Sequence, residues 1–274
     1  MGGGFQQIMD TFGLRGELWN PMIMTALMLM RVLPIVFQTP FLGGKLVPNE
    51  TRMGIALGLV ILIWPYAATN VVVGDFNPVV LITLMFKEIF IGFVIGFVAA
   101  ELFYAMEIGG RALDTMRGSN MAEVQVPELA LRVSPVSQFG FQMLLVIFCV
   151  LNGHGHFIES IIQSFMLVPI DQFPAMTGGF VHLVDNILRY TQSLFGIAFA
   201  LVFPGLFAAF MVDVVFGMFN RIAPQLNAYF MAMGVKAMSG LAMFMFALTL
   251  MTHQLAYRLE DSLVLIRRIV QFLD

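Results

Sequence analysis

Three stretches of this chain are too apolar for ordinary soluble elements. Met53–Val73 holds no charged residue, Ser193–Phe219 holds only Asp213, and Ala228–Met251 holds only Lys236. About 20 consecutive apolar residues cross the hydrocarbon core of a bilayer as a helix. Charged residues make up 11% of the 274, against about a quarter in soluble domains. The class is an all-α membrane protein, read as a single domain over 1–274.

Several functions drop out at once. A net charge of −3 without a basic block argues against nucleic acid. Cys149 is the single cysteine, so no intramolecular disulfide and no cysteine metal site are expected. Residues 1–20 contain Asp10 and Glu17 and no basic start, which does not read as a cleaved signal. No nucleophile elbow, phosphate loop or HExxH helix occurs. His154, His156 and Glu159 sit at a Gly-rich turn without a fourth ligand and read as a capped bend rather than a metal site. Neither catalysis nor a cofactor is expected.

Against this apolar background the stretch Glu107–Val136 stands out. It carries Glu107, Asp114, Glu123 and Glu128, with Arg111, Arg117 and Arg132. A polar insert here is either a solvated loop or irregular backbone lining a protein-enclosed cavity. Gly109, Gly110 and Gly118 offer flexible or tight-turn positions, and Pro127 and Pro135 break helices. Asp114 and Arg117 are three apart and can pair on a helical turn, while Met116 and Met121 suit an apolar constriction.

The remaining elements follow from hydropathy. Pro21–Leu42 is interrupted by Arg31, Pro34 and Pro40, and Val79–Met106 contains Lys87, Glu88 and Glu101. Gly92 and Gly96 have the spacing that lets helices approach closely. Phe139–Leu151 and Phe157–Ile170 flank an Asn-Gly-His-Gly turn; each is shorter than the ~20 residues of a full span and reads as part of a hairpin or broken helix. A helix near Val181–Gln192 leads into the Ser193 run, and Asn220–Asn227 (NRIAPQLN) forms a turn. In His253–Asp274, Leu255, Leu259, Leu263, Ile266, Val270 and Leu273 fall on one face, predicting an amphipathic helix for a partner or membrane surface.

Arg31, Lys87, Glu88, Glu101, Asp213 and Lys236 lie inside apolar runs, where a charge costs at least ~2.5–3.5 kcal/mol. They therefore face protein or water, either as ion pairs between helices or subunits or as a pathway. Pairing is the preferred reading. Adjacent Lys87 and Glu88 point to different helix faces and so to separate partners. Arg and Lys placement puts the loops around Lys45–Arg52 and Arg111–Arg132 on the cytoplasmic side, and the rule then fails beyond residue 136. The rival reading is a small-solute transporter using Glu101, Asp213 and Lys236, which predicts matched broken helices in two halves.

Arg31–Leu59, Lys87–Phe97, Gly110–Met121, Asn152–Ile170 and Asn220–Asn227 together resemble, in order, the FliR/SctT (SpaR, YscT) inner-membrane subunits of type III protein export. Arg117-Gly118 and Lys236 look closer to the injectisome branch than to the flagellar one. The resemblance implies broken helical hairpins packed into a helical export gate. It implies partners of the FliP/SctR, FliQ/SctS and FlhB/SctU types, and unfolded polypeptides as cargo crossing the bacterial inner membrane. It also implies that 107–136 is a channel plug, with Gly109, Gly110, Asp114, Met116, Arg117, Gly118 and Met121 as its gating residues. Arg31, Lys87, Glu88, Asp213, Arg221, Pro224, Gln225 and Lys236 would make assembly contacts. Leu259, Leu263, Ile266 and Val270 would form a partner-binding tail.

Overall fold

The computed structural model describes residues 19–44, 47–67, 78–118, 134–173, 180–225 and 227–273. Among these residues the regular elements are all helical: α1 (Trp19–Gln38), α2 (Pro40–Gly43), α3 (Asn49–Ala67), α4 (Pro78–Met116), α5 (Pro135–Val150), α6 (Gly153–Leu167), α7 (Phe180–Ile222) and α8 (Ala228–Leu273). Parts of α1, α4, α7 and α8 are long and apolar enough to cross a membrane, and α5 with α6 adds a fifth crossing if the broken pair is one span. At 39, 43 and 46 residues, α4, α7 and α8 would each extend more than ~55 Å. That exceeds the ~30 Å hydrocarbon core, so each is longer than a single crossing needs.

Contacts divide the chain into two compact units. The first comprises residues 1–100, 155–183 and 263–274. Here α1 packs on α3 through Ala56, Leu59, Val60, Ile63 and Ala67, a helical stripe that is buried while Leu57, Ile61 and Leu62 are exposed. The charge-free run from Met53 is thus helical through Pro65 to Ala67, with 68–77 outside the described residues. Pro34 does not end α1; the helix continues to Gln38 and gives way at Thr39-Pro40. Helices α1 and α4 lie in close contact. A methyl group on Gly92 would lie 2.1 Å from the Arg31 carbonyl oxygen, and one on Gly96 would lie 3.1 Å from the Ile35 Cα. The two glycines, one turn apart, let α4 lie directly on the α1 backbone.

The second unit comprises residues 101–154 and 184–262. The Phe103 ring packs between Phe141 and Phe148, at 5.8 and 5.9 Å between centroids. The chain breaks at Leu151-Asn152, with Asn152 at φ 54°, a left-handed position that asparagine tolerates better than most residues. Gly153 follows because a side chain there would strike the Phe148 ring at 2.4 Å. The expected helix near Val181 and the Ser193 run form one helix, and the tail is the continuation of α8.

Two expectations for the central stretch are corrected. Its first third is not irregular, since α4 runs on to Met116 before the turn at Arg117-Gly118. Gly109 and Gly110 are not turn residues but helical contact points on two faces of α4. A methyl group on Gly109 would lie 3.0 Å from the Ala198 carbonyl oxygen of α7, and one on Gly110 would lie 2.3 Å from the Ser137 Cα of α5. Gly118, at φ +82°, is the turn residue. Residues 119–133, with Met121, lie outside the described residues.

Candidate functional site: a clamp at the base of the central stretch, and the buried charges

The two ends of the central stretch meet at Asp114. Helix α5 opens with Ser134 at its N-cap position and Pro135 behind it, yet the Ser134 side chain makes no capping bond. Its hydroxyl instead donates to Asp114 Oδ2 at 2.6 Å. The same oxygen accepts from the Val136 N–H at 2.9 Å and, more weakly, from the Ser137 N–H at 3.4 Å. A carboxylate borrowed from α4 thus caps α5, satisfying N–H groups that have no intrahelical partner and meeting the positive end of the helix dipole. Ser137 Oγ donates to the Glu107 carbonyl at 3.0 Å, and Gly110 removes the side chain that would hold the two helices apart.

Arg117 completes the clamp. Its Nη1 lies 3.2 Å from Asp114 Oδ1, one turn back. Its stem passes over Gly240 of α8, where a methyl group would meet Cγ at 2.8 Å. Close by, α7 and α8 cross at Gly205 and Gly240: a methyl on Gly205 would lie 2.9 Å from the Gly240 carbonyl and 3.0 Å from Leu113. Met116, on the same turn of α4, is exposed.

Arg31, Lys87 and Glu88 form one network in the first unit. Arg31 is fully buried. Its Nε donates to Glu88 Oε2 and its Nη2 to Glu88 Oε1 at 2.9 Å, the two-pronged geometry that makes Arg–carboxylate pairs strong. Nη1 also donates to the Ser164 carbonyl at 2.6 Å, and Nη2 to the Val168 carbonyl at 2.9 Å. The guanidinium lies 4.1 Å from the centre of the Phe165 ring. Lys87 Nζ reaches Glu88 Oε1 at 2.7 Å and donates to the carbonyls of Pro169, Ile170 and Gln172 at 2.8, 3.1 and 2.9 Å. The expectation of separate partners for Lys87 and Glu88 is overturned. The flexible lysine stem folds its ammonium back to its neighbour's carboxylate. Together the two cations bind the Ser164 carbonyl in the last turn of α6 and four carbonyls of the segment just past it, Val168, Pro169, Ile170 and Gln172.

In the second unit Lys236 Nζ pairs with Asp213 Oδ1 at 2.6 Å, linking α8 to α7, with the two side chains 17% and 47% exposed. Glu101 is buried, and among the described residues neither of its carboxylate oxygens has a hydrogen-bond partner. Of the three residues of the transporter reading, Asp213 and Lys236 are paired with each other, and Glu101 makes no hydrogen bond to either. Arg221, Pro224 and Gln225 are exposed at the α7–α8 turn, with Arg221 in the last turn of α7, where a cation suits the dipole. Leu259 is buried against its own chain; the side chains of Leu263, Ile266 and Val270 lie outside the described residues. His156 Nδ1 lies 3.7 Å from Glu159, and both are exposed on α6. Ser134, Ser137, Ser164 and Gly240 were not singled out by the sequence. Only Gly240 had a visible signal, a glycine inside an apolar helical run.

Long apolar helices, buried charges joined to one another and the hinge-like break between α5 and α6 define an all-helical, multi-pass membrane protein. Residues 22–262 match the family model described as bacterial export proteins, family 1. The chain belongs to that family. It is similar to the Yop proteins translocation protein T of Yersinia pestis, at 30% identity covering 81% of this chain and 82% of that one. It is also similar to the flagellar biosynthetic protein FliR of Buchnera aphidicola, at 25% identity over 85% and 88% of the two chains. The surface presentation of antigens protein SpaR of Salmonella typhimurium matches at 25% identity over 86% of each.

Proposed function

We propose that the chain is a core subunit of a type III secretion export gate in the bacterial inner membrane, contributing to the channel through which unfolded proteins leave the cytoplasm. The observation that carries this reading is the family match across residues 22–262. The higher identity to the Yop translocation protein than to the flagellar relative quoted favours the injectisome branch. The role is structural, not catalytic. The subunit works with FliP/SctR-type, FliQ/SctS-type and FlhB/SctU-type subunits. Support for a hetero-oligomer comes from the large apolar side chains exposed along α7 and α8, among them Phe203, Phe207, Phe230, Met238 and Phe246, which need lipid or protein cover.

Within that gate the stretch 107–136 is the plug. Asp114 brings the backbone at 134–137 back to the end of α4, so the residues between leave and return at one anchored place. Such an arrangement allows the intervening chain to be displaced without dismantling the helices that hold it. Deleting Ser119 to Leu131 is expected to leave the complex assembled and to make it conduct small ions when no substrate is engaged. Conductance of the membrane-embedded complex, wild type against deletion, is the measurement. An assembled deletion complex as tight as wild type sinks the plug reading.

A further inference from the structure

We infer that Gly240, far along the sequence from the central stretch, is a positioning residue for the clamp at its base. By carrying no side chain it seats Arg117, and through Arg117 it sets how firmly Asp114 holds the N-terminus of α5. The inference deepens the plug reading and rests on it for its functional meaning.

The argument begins with what fixes Arg117. Its guanidinium makes a 3.2 Å bond to Asp114, longer than the usual charge-assisted distance, and its buried Nε has no acceptor among the described residues. Hydrogen bonding alone therefore holds this side chain weakly. Packing supplies the rest: a methyl on Gly240 would stand 2.8 Å from Arg117 Cγ and 3.0 Å from Cδ, with the next nearest atom, the Gly205 carbonyl oxygen, 3.6 Å away. The face of Gly240 thus points at the arginine stem and not at the α7–α8 crossing. Gly205 has the opposite character, its empty face meeting the Gly240 carbonyl and Leu113. One glycine serves the helix crossing, the other the clamp.

The consequence follows atom by atom. A methyl at position 240 displaces Cγ and Cδ of Arg117, and the guanidinium moves with them away from Asp114 Oδ1. Asp114 then loses its pairing with Arg117 at Oδ1, and with it one of the contacts that orient Oδ2 toward Ser134 Oγ and the Val136 N–H. The grip on the first turn of α5 loosens without any change in α5 itself.

Amide hydrogen exchange at Val136 and Ser137 reads that grip directly in the assembled export complex. Gly240→Ala is expected to speed exchange there severalfold. Gly240→Ala combined with Arg117→Ala is expected to exchange no faster than Arg117→Ala alone, since the linkage is already cut. An assembled Gly240→Ala complex as protected as wild type overturns the inference, and so does a double variant faster than Arg117→Ala. Should Gly240→Ala fail to assemble, the double variant, whose missing stem vacates the space, must restore assembly; failure to do so also overturns it. Conductance of the same complexes tests the plug separately. Faster exchange without leakage keeps the linkage and removes the plug.

Discussion

The buried charges of the first unit show why an arginine is tolerated in the middle of an apolar helix. Replacing a buried ion pair by well-packed apolar residues is often neutral or stabilising, because both desolvation costs vanish together. That rule fails for Arg31 and Lys87, which also serve the carbonyls of Ser164, Val168, Pro169, Ile170 and Gln172. Glu88→Gln leaves two buried cations with one neutral acceptor between them, and is expected to cost about 3–5 kcal/mol. Arg31→Leu with Glu88→Leu removes both charges but takes the arginine from the Ser164 and Val168 carbonyls, of which Ser164 keeps the Val168 N–H. A buried carbonyl left unpaired costs about 1–3 kcal/mol, and Lys87 loses its carboxylate. The double variant is therefore expected to remain clearly less stable than wild type. Thermal unfolding of the purified chain in detergent checks both; a double variant as stable as wild type would show that the carbonyls find other donors.

At the scale of elements, close helix contacts are set by glycines whose faces are filled by neighbouring backbone. Gly92→Val is the sharpest case, because even its first carbon would lie 2.1 Å from the Arg31 carbonyl oxygen. Helices α1 and α4 would have to separate, and the bidentate bond from Arg31 to Glu88 would lengthen with them. Overpacking of this kind typically costs about 1–3 kcal/mol, and the strained ion pair adds to it. Loss of resistance to proteolysis, compared with Gly58→Val at a position with nothing within 4 Å, is the measurement; equal resistance of the two would contradict the packing account. The Gly92–Gly96 spacing was legible in the sequence, and so were the apolar helices and the break near Asn152. Gly109 and Gly110 were misread, because a Gly-Gly pair beside charged residues looks the same whether it turns the chain or admits two neighbours. The Asp114 cap was half legible: its pairing with Arg117 follows from spacing, but no spacing rule links it to Ser134 and Val136, 20 and 22 residues on. The Lys87–Glu88 convergence was hidden because helical face rules ignore the reach of a lysine stem.

For the whole molecule, the chain's outer surface is what marks it as one part of a larger assembly. Along α7, Phe199, Phe203, Phe207 and Phe210 are exposed, and along α8 so are Phe230, Val235 and Met238. Lipid alone would cover most of these. It would cover Asp213 poorly, since that carboxylate is half exposed among them and a charge in hydrocarbon costs at least ~2.5–3.5 kcal/mol. We propose that this part of the α7–α8 hairpin faces protein, with Lys236 holding Asp213 in place for it. Lys236→Ala leaves the carboxylate without its cation at that surface. Membrane insertion depends on the long apolar helices and is expected to stay near wild type, whereas recovery of the assembled export complex is expected to fall. Lys236→Arg, which keeps the charge, is expected to retain most of the complex. Comparing the chain's yield in the membrane fraction with its co-purification in mild detergent separates the two effects. Wild-type assembly of Lys236→Ala together with lost secretion would instead assign the pair a role in transport itself.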